Sequence, residues 1–403
     1  MQGPYYFYYK DLKEYIIYYR SDEMKISISK SHLSDAIQHV SKAISSRTTI
    51  PILGGIKFDV AYHGVTLTAS DTDISIQAFI PAEEDNKTVV TVDKVGSVVL
   101  PAKFFVEIIK KLPTSEIEME VGSGFQTFIR AGATDIQLVG LDPEEFPVLP
   151  SIEENRVLSV PGDLLRHMIR QTGFSISTQE TTPILTGVMW SLKEGQLKFV
   201  ATDRHRLATR TVRLEGAEDV EFNNIVISGK TLNELSKIIP DQNTLVDIVV
   251  ADNQVLFKVD RVLFYSRILD GLYPDTSKII PSSHKTRLLL DTKKLSEAID
   301  RAYLLSREEK TNIVRMQTME QGGLEISSSS TELGRVKEEI ELSEFEGEQL
   351  RLSFNSKYML DVLKVIESDQ LTIRFTGVMS PIIIEPTDDS RSLYIILPYR
   401  TTN

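Results

Sequence analysis

The densest cluster of chemically capable side chains in this 403-residue chain is Asp203-Arg204-His205-Arg206. A carboxylate two residues from an imidazole could orient a general base. The nucleophile such a base would activate has no motif here: there is no Gly-x-Ser-x-Gly and no cysteine. The other five histidines are scattered, and only His167 has an obvious helical context, so the spacing does not favour a metal site. Ser228-Gly229-Lys230-Thr231 looks like the tail of a phosphate-binding loop, but the full pattern needs glycine at position 224, where Asn224 stands. A helix N-terminus is the better reading. The carboxylates form no recognisable acid–base pair. Glu338-Glu339 and Glu344-Phe345-Glu346 read as solvated strand edges that discourage wrong pairing. The chemistry these residues favour is binding over catalysis, and no cofactor is expected.

The elements that carry these residues recur. Lys103, Lys230 and Lys357 each open an amphipathic helix and stand 127 residues apart. Leu33, Leu164 and Leu295, in a second set of helices, stand 131 apart. Phe146-Pro147 and Tyr273-Pro274 repeat the 127 offset. A period this long means repeated domains rather than a solenoid. Each copy opens on an alternating strand, such as Lys25-Ile26-Ser27-Ile28, followed by a helix with Ser29 or Asp291 as a candidate N-cap. A turn into a buried strand follows, as in Thr49–Gly55, Thr182–Gly187 and Thr311–Val314. Then comes a polar strand-turn, in which Asp71, Asp203 and Glu332 align. Strands outnumber helices and pair mainly with sequence neighbours, which predicts an α+β fold of antiparallel sheets with two helices on one side of each copy. The expected division is an extension over 1–23 and domains over 24–150, 151–282 and 283–403.

Composition is that of a globular protein, 41% apolar and 25% charged. No run approaches the ~18 apolar residues of a spanning helix. Residues 1–23 hold seven of the fourteen tyrosines, with Lys10, Asp11, Lys13 and Glu14 where a secretory signal would need an apolar core. They lie outside the repeat and read as an upstream extension. The net charge of −12 speaks against nucleic acid, yet the six expected helices (30–44, 102–111, 161–172, 229–239, 291–310, 356–368) carry 16 Lys/Arg against 11 Asp/Glu. Charge is segregated by element, as a local electrostatic footprint requires. Helices rich in lysine for reasons of propensity alone would look the same.

Thr202-Asp203-Arg204-His205-Arg206-Leu207-Ala208, Thr182-Pro183-Ile184-Leu185, Gly271-Leu272-Tyr273-Pro274-Asp275 and Leu397-Pro398-Tyr399-Arg400 closely resemble the bacterial sliding clamps, the beta subunits of DNA polymerase III. The resemblance runs from residue 24 to 403 with the motifs in order. It implies three clamp domains per chain and a head-to-tail homodimer. The six domains then close a ring around duplex DNA, helices inside and sheets outside. A sleeve blind to sequence needs Lys/Arg toward phosphates and no base-reading side chains.

The same resemblance implies the sites. Arg47, Lys103, Gln179 and Pro183 correspond to positions that touch the duplex, and Lys230, Lys237, Lys293, Lys294, Arg301, Lys357 and Lys364 add positive field. A groove for partner peptides would be formed by Leu185, Thr202, Arg204, His205, Arg206, Leu207, Pro274, Ile279, Tyr358, Met379, Pro381, Ile395, Leu397, Pro398, Tyr399 and Arg400. Sliding clamps often have glycine where Arg204 stands, and methionine where Leu397 and Tyr399 stand. Ala133 and Ile136 would meet Leu304 and Leu305 at the ring joint. The implied partners are duplex DNA, a second copy of the chain, the polymerase III catalytic subunit, the clamp loader and other proteins bearing the clamp-binding motif. No membrane partner is implied, and the expected location is the cytoplasm, on the nucleoid. Two rival classes stay open at this level: a hydrolase or transferase built on Asp203 and His205, and a monomeric three-domain peptide-binding scaffold without DNA.

Overall fold

The structure is a computed structural model that describes residues 23–45, 48–149, 152–154, 156–241, 243–308, 311–320, 322–330 and 332–399. Its described residues fall into two compact units. One comprises those up to Ile152 with Leu256–Tyr265, the other Glu153–Val255 with the residues from Ser266 onward.

In the first unit, alternation of buried and exposed residues in Met24–Ser29 makes it the partner of Glu116–Gly122, with Met24 opposite Val121 and Ser29 opposite Glu116. The antiparallel sheet runs Thr134–Val139, Gln126–Ala131, Glu116–Gly122, Met24–Ser29, Val90–Lys94. Helix α1 (Lys30–Val40) follows Ser29 directly and buries Leu33, Ala36, Ile37 and Val40. Ser29 caps it by position only: its hydroxyl bonds Ser31 and His32 and no backbone N–H of the first turn. Helix α2 (Ala102–Lys111) packs against α1 and sets Phe105 edge-on to Phe58, ring centroids 5.2 Å apart. A second antiparallel run, Ile74–Pro81, Gly64–Ser70, Gly55–Ala61 and Gly96–Pro101, supports these helices.

The second unit holds two further copies of the pattern. Its largest sheet has nine antiparallel strands: Phe222–Ser228, Gly187–Lys193, Gln196–Thr202, Arg206–Arg213, Ser392–Ile396, Ile382–Pro386, Gln370–Phe375, Thr286–Asp291 and Glu344–Gly347. The two copies meet inside this sheet, where Arg206–Arg213 pairs with Ser392–Ile396 and Leu207 stands opposite Ile395. A four-stranded sheet runs Gly334–Glu341, Gly323–Ser330, Ile313–Thr318, Arg351–Asn355. Helices α3 (Gly162–Gly173) and α4 (Gly229–Ser236) pack together, as do α5 (Thr292–Glu308) and α6 (Ser356–Leu363). Asp291 caps α5 by accepting the Lys294 N–H at 2.8 Å, and Asn355 caps α6 through the Lys357 N–H at 3.0 Å. Trp190 stacks on Phe199 at 3.9 Å in the core of the central copy. The α+β class with antiparallel sheets and paired helices is as expected from the sequence.

The 127-residue offset is kept by the structure: α2, α4 and α6 begin at Ala102, Gly229 and Ser356 and bury Phe105, Leu232 and Met359 at the same helical position. The other register needs a correction. Helices α1, α3 and α5 begin at Lys30, Gly162 and Thr292, so the fourth residues are Leu33, Leu165 and Leu295, all fully buried. Leu164 is only half-buried, because one residue turns a helix by about 100°. The third copy also enters its buried strand without the 3₁₀ turn seen at Pro51–Gly54 and Pro183–Thr186. It has Asn312 where the others have the proline that favours a first helical position.

Candidate partner groove and nucleic-acid face

The groove residues are organised by the turn that joins Gln196–Thr202 to Arg206–Arg213. The Thr202 hydroxyl donates to the Arg206 carbonyl at 2.6 Å and accepts the Arg204 N–H at 3.1 Å. Asp203 Oδ1 accepts the N–H groups of His205 and Arg206 at 2.9 and 3.0 Å. The first copy builds the same turn with Ser70 and Asp71. In the third copy Ser330 accepts the N–H groups of Glu332 and Leu333. Ser330 therefore matches Thr202, and Glu332 matches Arg204, one place on from the expected alignment with Asp203; Thr331, between them, lies outside the described residues. Arg204 and its counterpart Thr72 have φ of 75° and 80°. That region of the backbone suits glycine better than a residue with a Cβ.

Asp203 spends its other oxygen on Arg206 Nε at 3.0 Å, so it orients no imidazole proton. His205 instead lies parallel to the Tyr358 ring at 6.5 Å. The Arg206 guanidinium lies 4.5 Å from the Tyr358 centroid and 5.6 Å from Phe174, and it donates to Asp361 Oδ2 at 2.7 Å. Only a tenth of the Arg206 side chain is exposed. Behind the turn, Leu185, Leu207, Ile395, Val200 and Tyr273 form one apolar cluster. The Tyr273 hydroxyl accepts the Thr202 N–H at 2.9 Å, and burial pushes its phenol pKa well up. Burial, and then Asp203, also raise that of Tyr358.

The chain's last described residues run onto this wall. The Leu397 N–H donates to the His205 carbonyl at 2.9 Å and the Tyr399 N–H to the Ser353 carbonyl at 2.7 Å, leaving both side chains exposed. Pro398 is half-buried. Pro381 immediately precedes Ile382, which pairs with Ile396, so register carries it toward Leu397. Exposed Met379 lies on the loop before it. Exposed Pro274 and Ile279 follow Tyr273. Arg400 lies outside the described residues. Sequence reasoning missed Tyr273, Phe174, Asp361 and Thr182, the last accepting from Arg204 at 3.2 Å. The Tyr273 signal was present: the first copy has Phe146 there, and an added buried hydroxyl demands a partner.

Of the residues expected to meet a duplex, Arg47 lies outside the described residues. Lys103, Gln179, Pro183, Lys230, Lys293, Lys294 and Lys357 are exposed. Lys237 pairs with Glu234 at 2.7 Å and Lys364 approaches Asp361 at 3.9 Å. Arg301 is gripped at both ends by Glu338, at 2.8 and 2.6 Å, which mutes its charge. Helix α3 adds a basic row that sequence reasoning left out: Arg166 pairs with Asp241, and His167 and Arg170 share Glu367. This row borders a cleft of about 550 Å³ between α3 and α4, with Ile169, Leu232 and Phe174 among its apolar lining. Among the residues expected at a joint, Ala133 sits exposed at a hairpin tip and Ile136 half-buried on the sheet-edge strand Thr134–Val139. On α5, Leu304 is exposed and Leu305 half-buried. Among the described residues no cluster could hold a metal ion, and no helix is long and apolar enough to cross a membrane.

Repeated α+β domains with paired, lysine-bearing helices and an apolar wall at the C-terminal strand define a processivity clamp, which is a non-catalytic class. The chain belongs to the DNA polymerase III beta subunit family, matching its N-terminal domain over residues 24–150, its central domain over 159–275 and its C-terminal domain over 277–400. It is 50% identical to the beta sliding clamp of Bacillus subtilis and 44% identical to that of Staphylococcus aureus, each alignment covering 94% of this chain and all of the relative. The solved Bacillus subtilis clamp superposes with a TM-score of 0.92 over the same 94% of this chain and all of its own. A Pseudomonas aeruginosa clamp bound to griselimycin, 26% identical, does so with 0.86 over 94% of this chain and all of its own.

Proposed function

We propose that this chain is a DNA sliding clamp: two copies, head to tail, close a ring around duplex DNA and tether the replicative polymerase without reading sequence. It performs no chemistry. The domains are 24–150, 151–282 and 283–403, preceded by the extension 1–23. The exposed lysines of the paired helices supply a diffuse attraction to phosphates, which holds the duplex while leaving motion along it free. The wall formed by the Thr202–Leu207 turn and the C-terminal strand receives short peptides with apolar anchors from the polymerase III catalytic subunit, the clamp loader and other motif-bearing proteins. The protein works in the cytoplasm, on the nucleoid.

One observation carries this reading: the repeated domain brings its Lys103, Lys230 and Lys357 helices in the same register, 127 residues apart, and leaves each lysine exposed. Catalysis has no use for three equivalent cations, whereas a sequence-blind sleeve does. A monomeric scaffold without DNA has no use for them either. The test is topological. Clamp loaded onto nicked circular DNA should co-elute with it through gel filtration and fall off once the circle is cut at a single site. Equal retention on circular and linear DNA would defeat the ring.

A further inference from the structure

We infer that Asp361 is a positioning residue of the partner groove, acting through Arg206 and held in competition by Lys364; this rests on the groove reading given above. Among the described groove cations, Arg206 is the one whose side chain is largely covered, so its guanidinium is part of the wall. Two carboxylates hold it. Asp203 belongs to the same turn and is already committed to the N–H groups of His205 and Arg206. Asp361 comes from α6, 155 residues further along, and reaches Arg206 Nη1 at 2.7 Å. It thereby fixes the guanidinium over the Tyr358 ring, which stacks in turn beneath His205. Without Asp361 the turn would keep its own hydrogen bonds and its ring contacts with Tyr358 but lose its ion pair to α6.

The second oxygen of Asp361 faces the Lys364 ammonium at 3.9 Å, and that lysine side chain is 71% exposed. One carboxylate thus serves a covered guanidinium on the groove side and an open ammonium one helical turn away. The two cations draw on the same charge. Arg206 holds the larger share, because a planar guanidinium at 2.7 Å makes a directional, charge-assisted bond and an exposed ammonium at 3.9 Å does not. Removing Lys364 should therefore tighten the Arg206 bond, and neutralising Asp361 should loosen the wall. Any phosphate that engages Lys364 would act in the same direction as its removal.

The experiment is fluorescence anisotropy on the full-length protein, with a labelled peptide from the C-terminal tail of the replicative polymerase of the same organism. Asp361→Asn should bind roughly five-fold more weakly and Lys364→Ala somewhat more tightly than the unaltered chain. In an Arg206→Ala background, Asp361→Asn should change affinity no further, an outcome that a general loss of folding would not produce. Thermal melts of each variant report folding separately. A truncation removing Leu397–Asn403 serves as the control for the groove itself. If the truncation abolishes binding while Asp361→Asn binds normally, or if the Asp361 and Arg206 effects simply add, the positioning role is overturned and the groove stands. If the truncation binds normally, the groove reading falls and this inference falls with it.

Discussion

Arg204 is a non-glycine residue at φ 75°, held there by the Thr202 hydroxyl and exposed to solvent. Left-handed backbone strains any residue with a Cβ, so Arg204→Gly should raise stability by about 0.5–1 kcal/mol despite the lost bond to Thr182. A higher urea midpoint with an unchanged slope would bear this out; a lower midpoint would mean the Thr182 bond outweighs the strain. His39, on α1, is a different case. Burial first, then Lys42, holds its pKa below the ordinary 6.5. The folded state therefore binds this proton less readily than the unfolded chain does. The stability that depends on neutral His39 is intact above pH 6.5 and is lost as pH falls through the lower folded value. His39→Leu should flatten the fall in urea midpoint between about pH 7 and 5; parallel profiles for the two proteins would exclude His39 as the cause. At this scale the sequence was legible wherever a side chain answers to its neighbours, as with Asp203 and its turn. It was illegible where the partner is distant: nothing near Asp361 announces Arg206, and nothing near Tyr273 announces Thr202.

The helices were legible because their burial is periodic. Residues 102–111 were outlined to the residue, since the cluster Phe105, Ile109 and the exposed Lys103, Lys110 and Lys111 leave one phase open. Helices α4 and α6 end earlier than their periodicity suggested, at Ser236 and Leu363, because apolar residues continue past the helix into the turn and are buried there anyway. The one-residue slip at Leu164 has the same origin: two adjacent leucines satisfy a pattern count equally, and only packing chooses Leu165. For function the helix is also the right unit. Each exposed lysine adds to an attraction that salt screens, and each phosphate left without its cation should lower the salt slope of duplex binding by about 0.9. Lys103→Ala with Lys230→Ala should lower it by about twice that, equally for any sequence. A loss confined to particular sequences would mean that bases are being read, which a sleeve does not do.

Taken whole, the chain has a charge problem that its topology answers. At −12 it should repel DNA, yet its cations concentrate on helices while strands such as Gly334–Glu341 carry paired glutamates. Acidic sheets limit wrong-way binding and leave the helices as the favourable face. Assembly depends on edges as well as charge. Among the described residues, Thr134–Val139 ends its sheet with alternate residues half-buried and one side unpaired, and Gly334–Glu341 ends another. Open edges of that kind either aggregate or are met by a partner, and the head-to-tail pair proposed above would meet both at once. The repeat foretold the number of domains, but no periodicity could say which edges are left free, since that is decided by strand order. Ile136 lies on the first edge strand and Leu305 on the helix packed against the second. An apolar joint residue is commonly worth about 2–4 kcal/mol, so a charge placed there should open the ring. Leu305→Asp should sediment as a 45.4 kDa monomer and the unaltered chain at twice that mass, and the variant should no longer be retained on circular DNA. A Leu305→Asp protein that stays dimeric at nanomolar concentration would put the joint on some other pair of edges.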